Sequence, residues 1–384
     1  MMQNPAPRIG VFFCDCGETI DNLLGLEELK EHARSLEGVT YVETDHFLCD
    51  PDAAGRMDQK VREHGIDRLV IAACSPRVHQ EEFRQAAESA GINPYMVEIA
   101  NLREQVAWIH SRNKDEATVK AKDAVSMAVA RSRQLMPLIR PPSAFVNEDL
   151  CSGCGICEST CRQNAIYFTE GKNAGRRIAQ IDRAKCLACG ACVSACPSAA
   201  MDMEGFSNEE ILAEIDAFSR DLETSREPFP AILVFTCNWC SYPAADLAGL
   251  KRLQIEPKFR IIRTPCSARV DPEWVLRAMS RGVDGVLVLG GKEGQCHFRR
   301  GNVRTRNRMI LLARLLEQMG FDPARFHVDW VNSDEPEVFR DIVNAFVAKV
   351  EEIGPNPIRA PTEEERFTSA LYHGRDHIVH PAYR

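Results

Sequence analysis

Residues 151–161 read CSGCGICESTC, and residues 186–197 read CLACGACVSACP. Each run has the form C-x2-C-x2-C-x3-C, and together they hold eight thiols between Cys151 and Cys196. Loops this tight wrap thiolates around a compact inorganic centre and turn backbone N–H groups toward it. Gly153, Gly155 and Gly190 permit the curled backbone that such wrapping needs. A pair of structural zinc sites is the alternative, but zinc motifs do not usually repeat in this double cadence.

Eight further cysteines flank this segment. Cys14, Cys16, Cys49 and Cys74 precede it, and Cys237, Cys240, Cys266 and Cys296 follow, so all sixteen fall into sets of four or eight. No apolar run reaches the ~18 residues of a membrane span, and the N-terminus has no basic flank leading into an apolar stretch. The expected compartment is the cytoplasm, where thiols stay reduced and metal rather than disulfide explains them. The chain has 384 residues, 45% of them hydrophobic and 27% charged, with a net charge of −8. Such a composition suits a soluble globular protein of two or three domains and disfavours a nucleic-acid-binding body.

Prolines at 137, 141 and 142 cannot continue a helix and mark a linker. Before it, short apolar runs at 8–13, 40–43, 68–72 and 95–99 alternate with helical spacing at 26–36, 53–65 and 79–90. A long helix over about 102–135 is expected to end this block. After the cysteine-rich middle, a polar helix is read over 207–225. Strands follow at 231–235, 259–263, 283–289 and 326–330, with helices at 243–253, 272–281, 304–319 and 335–352. Strand–helix alternation calls for parallel sheets with crossover helices. The expected fold class is α/β: two parallel-sheet α/β domains, 1–140 and 207–354, flank a small α+β domain, 141–206. A polar tail, 355–384, is expected to lie extended over another surface.

The flanking cysteines lie mainly where strands end. Cys14 and Cys16 follow the first strand and Cys74 the third, while Cys49 sits before a helix. Cys237 and Cys240, then Cys266, then Cys296 follow three successive strands. Strand ends of a parallel sheet share one edge, where ligands bind. Arg299, Arg300, Arg304, Arg306 and Arg308 form a basic stretch beside Cys296, read either as a solvated helix face or as a docking patch for an acidic partner. The C-x2-C of Cys237 and Cys240 also permits a thiol–disulfide reductase. His373, His377 and His380 in the tail suit an interaction segment better than a metal site.

The middle run resembles the bacterial two-cluster ferredoxin, in which the fourth Cys of each run ligates the other cluster. The resemblance assigns Cys151, Cys154, Cys157 and Cys196 to one [4Fe–4S] cluster, and Cys161, Cys186, Cys189 and Cys192 to a second. Pro197 keeps the family's proline, whereas Arg162 replaces the other. The third block, with CNWC at 237–240, TPC at 264–266 and GGKEGQCH at 290–297, resembles the delta subunit of the methyl-viologen-reducing hydrogenase. That likeness implies a [2Fe–2S] cluster on Cys237, Cys240, Cys266 and Cys296, with Trp239 and His297 beside it. The family pattern has a further Cys where Gly291 stands. The first block, through FFCDCG at 12–17, AACSPRVH at 72–79, NPY at 93–95 and NLREQ at 101–105, resembles the N-terminal domain of the A-type subunit of heterodisulfide reductase. It implies a third [4Fe–4S] cluster on Cys14, Cys16, Cys49 and Cys74. Arg77 and His79 are expected to offset its charge or to cap the next helix.

No G-x-G-x-x-G follows a strand, so no flavin is expected on this chain. Together the likenesses imply a non-catalytic iron–sulfur electron-transfer subunit of an anaerobic multi-subunit oxidoreductase. It would relay electrons between a hydrogenase- or formate dehydrogenase-like partner and a flavoprotein or heterodisulfide reductase-like module, a setting that suits electron bifurcation. The alternatives are a thiol–disulfide reductase using Cys237 and Cys240 and a structural zinc scaffold.

Overall fold

The computed structural model describes residues 6–171, 175–220, 222 and 229–359. In the first block, β1 (Ile9–Cys14), β2 (Val39–Asp45), β3 (Arg68–Ala73) and β4 (Val97–Asn101) form one parallel sheet in the order β2-β1-β3-β4. The crossovers are α1 (Leu26–Ser35), α2 (Pro51–His64) and α3 (Pro76–Ser89). β1 is buried along its whole length, as expected of a strand covered on both faces. Asp50 and Ser75 cap α2 and α3, each ahead of a proline in the first turn.

The expected long helix over 102–135 is broken. Arg103–Ala107 form a π-helical turn, and α4 runs only over Lys114–Ser132. Asn113 restarts the helix, its Oδ1 accepting from the Glu116 N–H at 3.2 Å. The break leaves Arg103 and Glu104 at the end of the sheet instead of turning them onto a helix face.

The middle block is small and antiparallel. β5 (Ala144–Val146) pairs with β8 (Met201–Met203), and β6 (Ile166–Glu170) with β7 (Arg177–Ile181), around the short α5 (Ile156–Thr160). α6 (Asn208–Ser219) follows. Its expected polar face is turned inward in part: Glu210 and Glu214 are buried and both pair with Arg131 of α4.

The third block repeats the first block's topology. β9 (Ile232–Cys237), β10 (Phe259–Thr264), β11 (Gly285–Gly290) and β12 (Phe326–Trp330) form a parallel sheet in the order β10-β9-β11-β12. α7 (Ser241–Leu250), α8 (Pro272–Ser280), α9 (Gly301–Gln318) and α10 (Pro336–Ile353) cover it. Phe235, Trp274 and Met279 anchor one face, and Phe259, Phe339 and Val347 the other. Full burial of such a side chain contributes about 1.5–3 kcal/mol.

Residues 355–359 pack back on this block. The buried Asp284 carboxylate accepts from the Ala231 and Asn356 N–H groups, each at 2.7 Å, and pairs with Arg359. The rest of the tail, with its three histidines, lies outside the described residues.

The two α/β blocks pack directly together. α7 lies on the 103–107 turn so closely that a Cβ at Gly249 would fall 2.2 Å from the Glu104 carbonyl oxygen. Asp246 accepts from Ser75 Oγ at 2.5 Å, Asn101 Nδ2 at 2.9 Å and Gln105 Nε2 at 2.8 Å. Arg260 pairs with Asp123 and Lys258 with Glu116 across the same contact. No described helix is long and apolar enough to cross a membrane.

Candidate metal centres

The third block shows how its fold gathers thiols. Cys237 ends β9, Cys240 precedes α7, Cys266 follows β10 and Cys296 precedes α9. Because the strands are parallel, these positions share one sheet edge. Cys237 Sγ touches those of Cys240 and Cys266, and Cys266 Sγ also touches that of Cys296. The surroundings are built from backbone. A Cβ at Gly301 would lie 2.5 Å from Cys266 Sγ and 3.3 Å from Cys296 Sγ, and one at Gly291 would lie 2.5 Å from Cys240 Sγ. Backbone N–H groups of Trp239 and Ser267 face Cys237, and those of Asn302, Phe298 and Gly301 face Cys296. Four thiols ringed by N–H donors suit a negatively charged iron–sulfur cluster. Position 291, where the family pattern has a further Cys, opens directly onto the set but supplies no side chain. Trp239, within the 237–240 turn, stacks on His297 at 3.9 Å with planes 7° apart.

In the middle block the thiols lie close together. Burial, and then the neighbouring thiols Cys196, Cys151 and Cys154, push the Cys157 thiol up. Burial followed by Cys189, Cys186 and Cys161 push Cys192 well up. Cys192 also has Cys157 of the other run beside it, so the two groups of thiols adjoin. Arg176 and Arg177 hold the first loop, donating from Nε to the Cys151 and Gly153 carbonyls at 2.9 Å. Gly190, with φ +73°, lies where a Cβ would strike Arg269. Arg269 is fully buried between the middle and third blocks, its carbonyl accepting from Ser194 Oγ at 2.6 Å.

In the first block, Cys14 ends β1, Cys74 follows β3, and Cys49 lies just before α2. Cys14 and Cys16 are in thiol contact, which with burial raises Cys14. The same contact, followed by Arg103, lowers Cys16, and Arg103 Nη1 reaches Cys16 Sγ at 3.0 Å. Burial pushes Cys74 up to about 12, with Cys16 and Cys49 among its charged neighbours. Cys49 is exposed. Arg77 does not face this set. It crosses to the third block and donates to the Asn238 carbonyl at 2.8 Å, while its own N–H is capped by Ser75 Oγ. His79 lies 3.5 Å from Glu82 and caps nothing. Arg103, Arg176, Arg177 and Arg269 carry no spacing signal of their own, and Arg103 alone lies inside one of the sequence motifs. Among the described residues, no group of three or more His, Cys, Asp or Glu is placed so that it could hold a metal ion.

The sets adjoin. Ala191 and Cys189 of the middle block pack on Cys266 and Ala268 of the third. A small cavity of about 40 Å3 at this seam is lined by Cys189, Cys192, Cys266, Phe298 and Arg304. The basic stretch divides: Arg304 and Arg308 are half-buried, whereas Arg299, Arg300 and Arg306 are exposed. Arg304 lines the seam, Arg308 donates to the Ala268 carbonyl at 2.8 Å, and Arg306 lies 3.7 Å from Glu293.

Comparison with known proteins finds two family matches and several relatives. Residues 232–354 match the methyl-viologen-reducing hydrogenase delta subunit, and residues 150–200 match the 4Fe-4S dicluster domain. The chain is 40% identical over 215 residues to the A-type subunit of the ferredoxin/F(420)H(2)-dependent CoB-CoM heterodisulfide reductase of Methanosarcina acetivorans, covering 56% of this chain and 26% of that protein. It is 39% identical over 150 residues to the A-type subunit of the H(2):CoB-CoM heterodisulfide,ferredoxin reductase of Methanothermobacter thermautotrophicus, covering 39% of this chain and 23% of the relative. The chain thus spans about a quarter of these relatives. It is 39% identical over 131 residues to the D-type iron-sulfur subunit of the F420-non-reducing hydrogenase of Archaeoglobus profundus, covering 34% of this chain and 96% of that protein. Its third block matching that protein nearly end to end, the chain belongs to the family of the methyl-viologen-reducing hydrogenase delta subunit.

Proposed function

We propose that the chain is an iron–sulfur electron-transfer subunit that holds three [4Fe–4S] clusters and one [2Fe–2S] cluster. The observation that carries this reading is the gathering of Cys237, Cys240, Cys266 and Cys296 at one sheet edge. Cys14, Cys16, Cys49 and Cys74 would hold one four-iron cluster. Cys151, Cys154, Cys157 and Cys196 would hold a second, and Cys161, Cys186, Cys189 and Cys192 a third. Cys237, Cys240, Cys266 and Cys296 would hold the two-iron cluster. When bound, such clusters accept and release single electrons at potentials set by their surroundings.

The chain's own residues supply those surroundings. Cys189, Ala191, Cys266 and Ala268 pack together between the middle and third sets. Arg304 and Arg103 place positive charge at the seam and beside Cys16, which favours the more negative, reduced state of a thiolate-bound centre. Arg77 ties the Cys74 loop to the 237–240 turn, so the first and third sets are held in fixed relation. The names of the relatives suggest partners: a hydrogenase-like protein at the third block, and a heterodisulfide reductase-like or flavoprotein module elsewhere.

A thiol–disulfide reductase has the Cys237–Cys240 contact in its favour. Those residues are only 3% and 5% exposed, however, which leaves a disulfide substrate no approach. Iron and acid-labile sulfide per chain, measured on anaerobically prepared protein with EPR of the reduced sample, test the proposal. About 14 iron, from three four-iron centres and one two-iron centre, is the expected result. About 10 would remove the first-block centre. Zinc in place of iron would overturn the electron-transfer reading, as would rapid alkylation of Cys237 and Cys240 in the native protein.

A further inference from the structure

A half-open cavity of about 500 Å3 remains where the three blocks meet. Its volume lies within the roughly 300–1,000 Å3 typical of small-molecule sites. Tyr95, Leu187, Trp239 and Phe298 form much of its apolar wall.

Its charges are unevenly matched. Three arginines and two glutamates line it: Arg84, Arg131, Arg263, Glu98 and Glu210. Both glutamates are taken by Arg131, at 3.2 and 3.4 Å. Arg84 has the Gln80 amide, whose oxygen when turned toward it accepts from Nε at 3.2 Å and Nη2 at 2.6 Å, and the Tyr95 ring at 4.9 Å. Arg263 has Asn238 Oδ1 at 3.4 Å and the rings of Phe206 and Tyr242. Among the described residues, neither Arg84 nor Arg263 is ion-paired. Both are half-buried. Burial, with the like charge of Arg263 contributing, pulls the Arg84 guanidinium down from its ordinary value. Glu81 and Glu98 lie near enough to Arg84 to offset part of its charge, but neither Arg84 nor Arg263 holds a carboxylate in an ion pair, a cost to folding that an anionic occupant would reduce.

We propose that this cavity binds a small organic anion with a planar group, its carboxylate, phosphate or sulfonate held by Arg84 and Arg263 and its ring packed against Trp239 and Phe298. The inference stands apart from the electron-transfer reading, because it rests on the arginines and the cavity and not on the thiols. Its setting still matters, since the cavity also touches Cys186 and Asn238. An occupant would shield the middle and third thiol sets from water at one place.

Calorimetric titration of the full chain with 8-anilinonaphthalene-1-sulfonate, an aromatic monoanion, tests this. One site per chain is expected. Arg84→Gln and Arg263→Gln should each weaken binding about tenfold, the loss expected of one charge-assisted hydrogen bond. Arg84→Lys and Arg263→Lys, which keep the charge but lose the planar fork, should weaken binding less than the glutamine variants do. Leu138→Trp, which narrows the cavity from the linker, should weaken binding about threefold or more, while Arg306→Gln on α9 should leave it unchanged. Binding that survives the double glutamine variant, or that is unchanged in Leu138→Trp, overturns the proposal, as does the absence of a single stoichiometric site. The lysine and tryptophan variants decide the matter should the glutamine variants fail to fold.

Discussion

Gly249→Ala should destabilise the chain, whereas Gly55→Ala should stabilise it. Both glycines lie within helices, so intrinsic propensity alone favours alanine by up to about 1 kcal/mol at each. Around Gly55 nothing lies within 4 Å of the added Cβ, and the gain should appear in full. At Gly249 the Cβ meets backbone: the Glu104 carbonyl oxygen at 2.2 Å, with its carbon and Cα at 2.7 Å. No rotamer change relieves such a clash. α7 must move off the 103–107 turn, and overpacking of this kind costs roughly 1–3 kcal/mol. A net loss of about 1–2 kcal/mol would lower the melting temperature by several degrees at about 2–4 °C per kcal/mol. The movement also separates Asp246 from Ser75 and Gln105. Differential scanning calorimetry gives the two shifts, and hydrogen exchange over 101–107 and 246–250 locates the change. If Gly249→Ala melts with or above wild type, or exchanges no faster at this contact, the close packing of the two α/β blocks is wrong.

Three further outcomes follow from the geometry. Asp246 is almost fully buried, and burial raises its pKa from 3.8 to about 7. The folded state therefore binds the proton more tightly than the unfolded chain. The stability this brings is complete below about pH 4 and is lost as pH rises through 7, at most on the order of 4 kcal/mol. Asp246→Asn should flatten that part of the profile in denaturant titrations at successive pH values. In metal-free protein at pH 7, Cys16, lowered by Cys14 and Arg103, should alkylate faster than the buried Cys74. Arg103→Gln should narrow the difference in peptide mass spectra. Trp239→Ala removes a ring stack worth about 0.5–1.5 kcal/mol from the 237–240 turn. Iron should then be lost to a chelator faster than from wild type, with the third-block EPR signal decaying first.

The alternation of apolar runs and helical spacing marked both sheets, because strands buried on two faces leave continuous signals such as GVFF at 10–13 and ILVF at 232–235. The break at 108–113 was not legible. Helical spacing continues through it, and what stops the helix is a tertiary demand that Arg103 and Glu104 face Cys16 and Ser75. Spacing grouped the middle cysteines because their ligand pattern is local. The strand-end cysteines could be gathered only by assuming parallel order, since Cys237 and Cys296 are far apart in sequence. The arginines beside the thiols were hidden for a simpler reason. Arg269 resembles any surface arginine until the fold shuts it between two blocks, and Arg84 and Arg263 reveal their missing partners only when their surroundings are known.

The knot around Asp284 bears on where this protein can be cut. The match to the hydrogenase family ends at residue 354, but the carboxylate at the base of the second sheet takes two of its partners from beyond that point, the Asn356 N–H and Arg359. A fragment trimmed to the family boundary would keep a buried anion and discard its counter-charge, a loss of about 3–5 kcal/mol for a buried pair. Anyone excising the third block for spectroscopy should stop no earlier than Arg359.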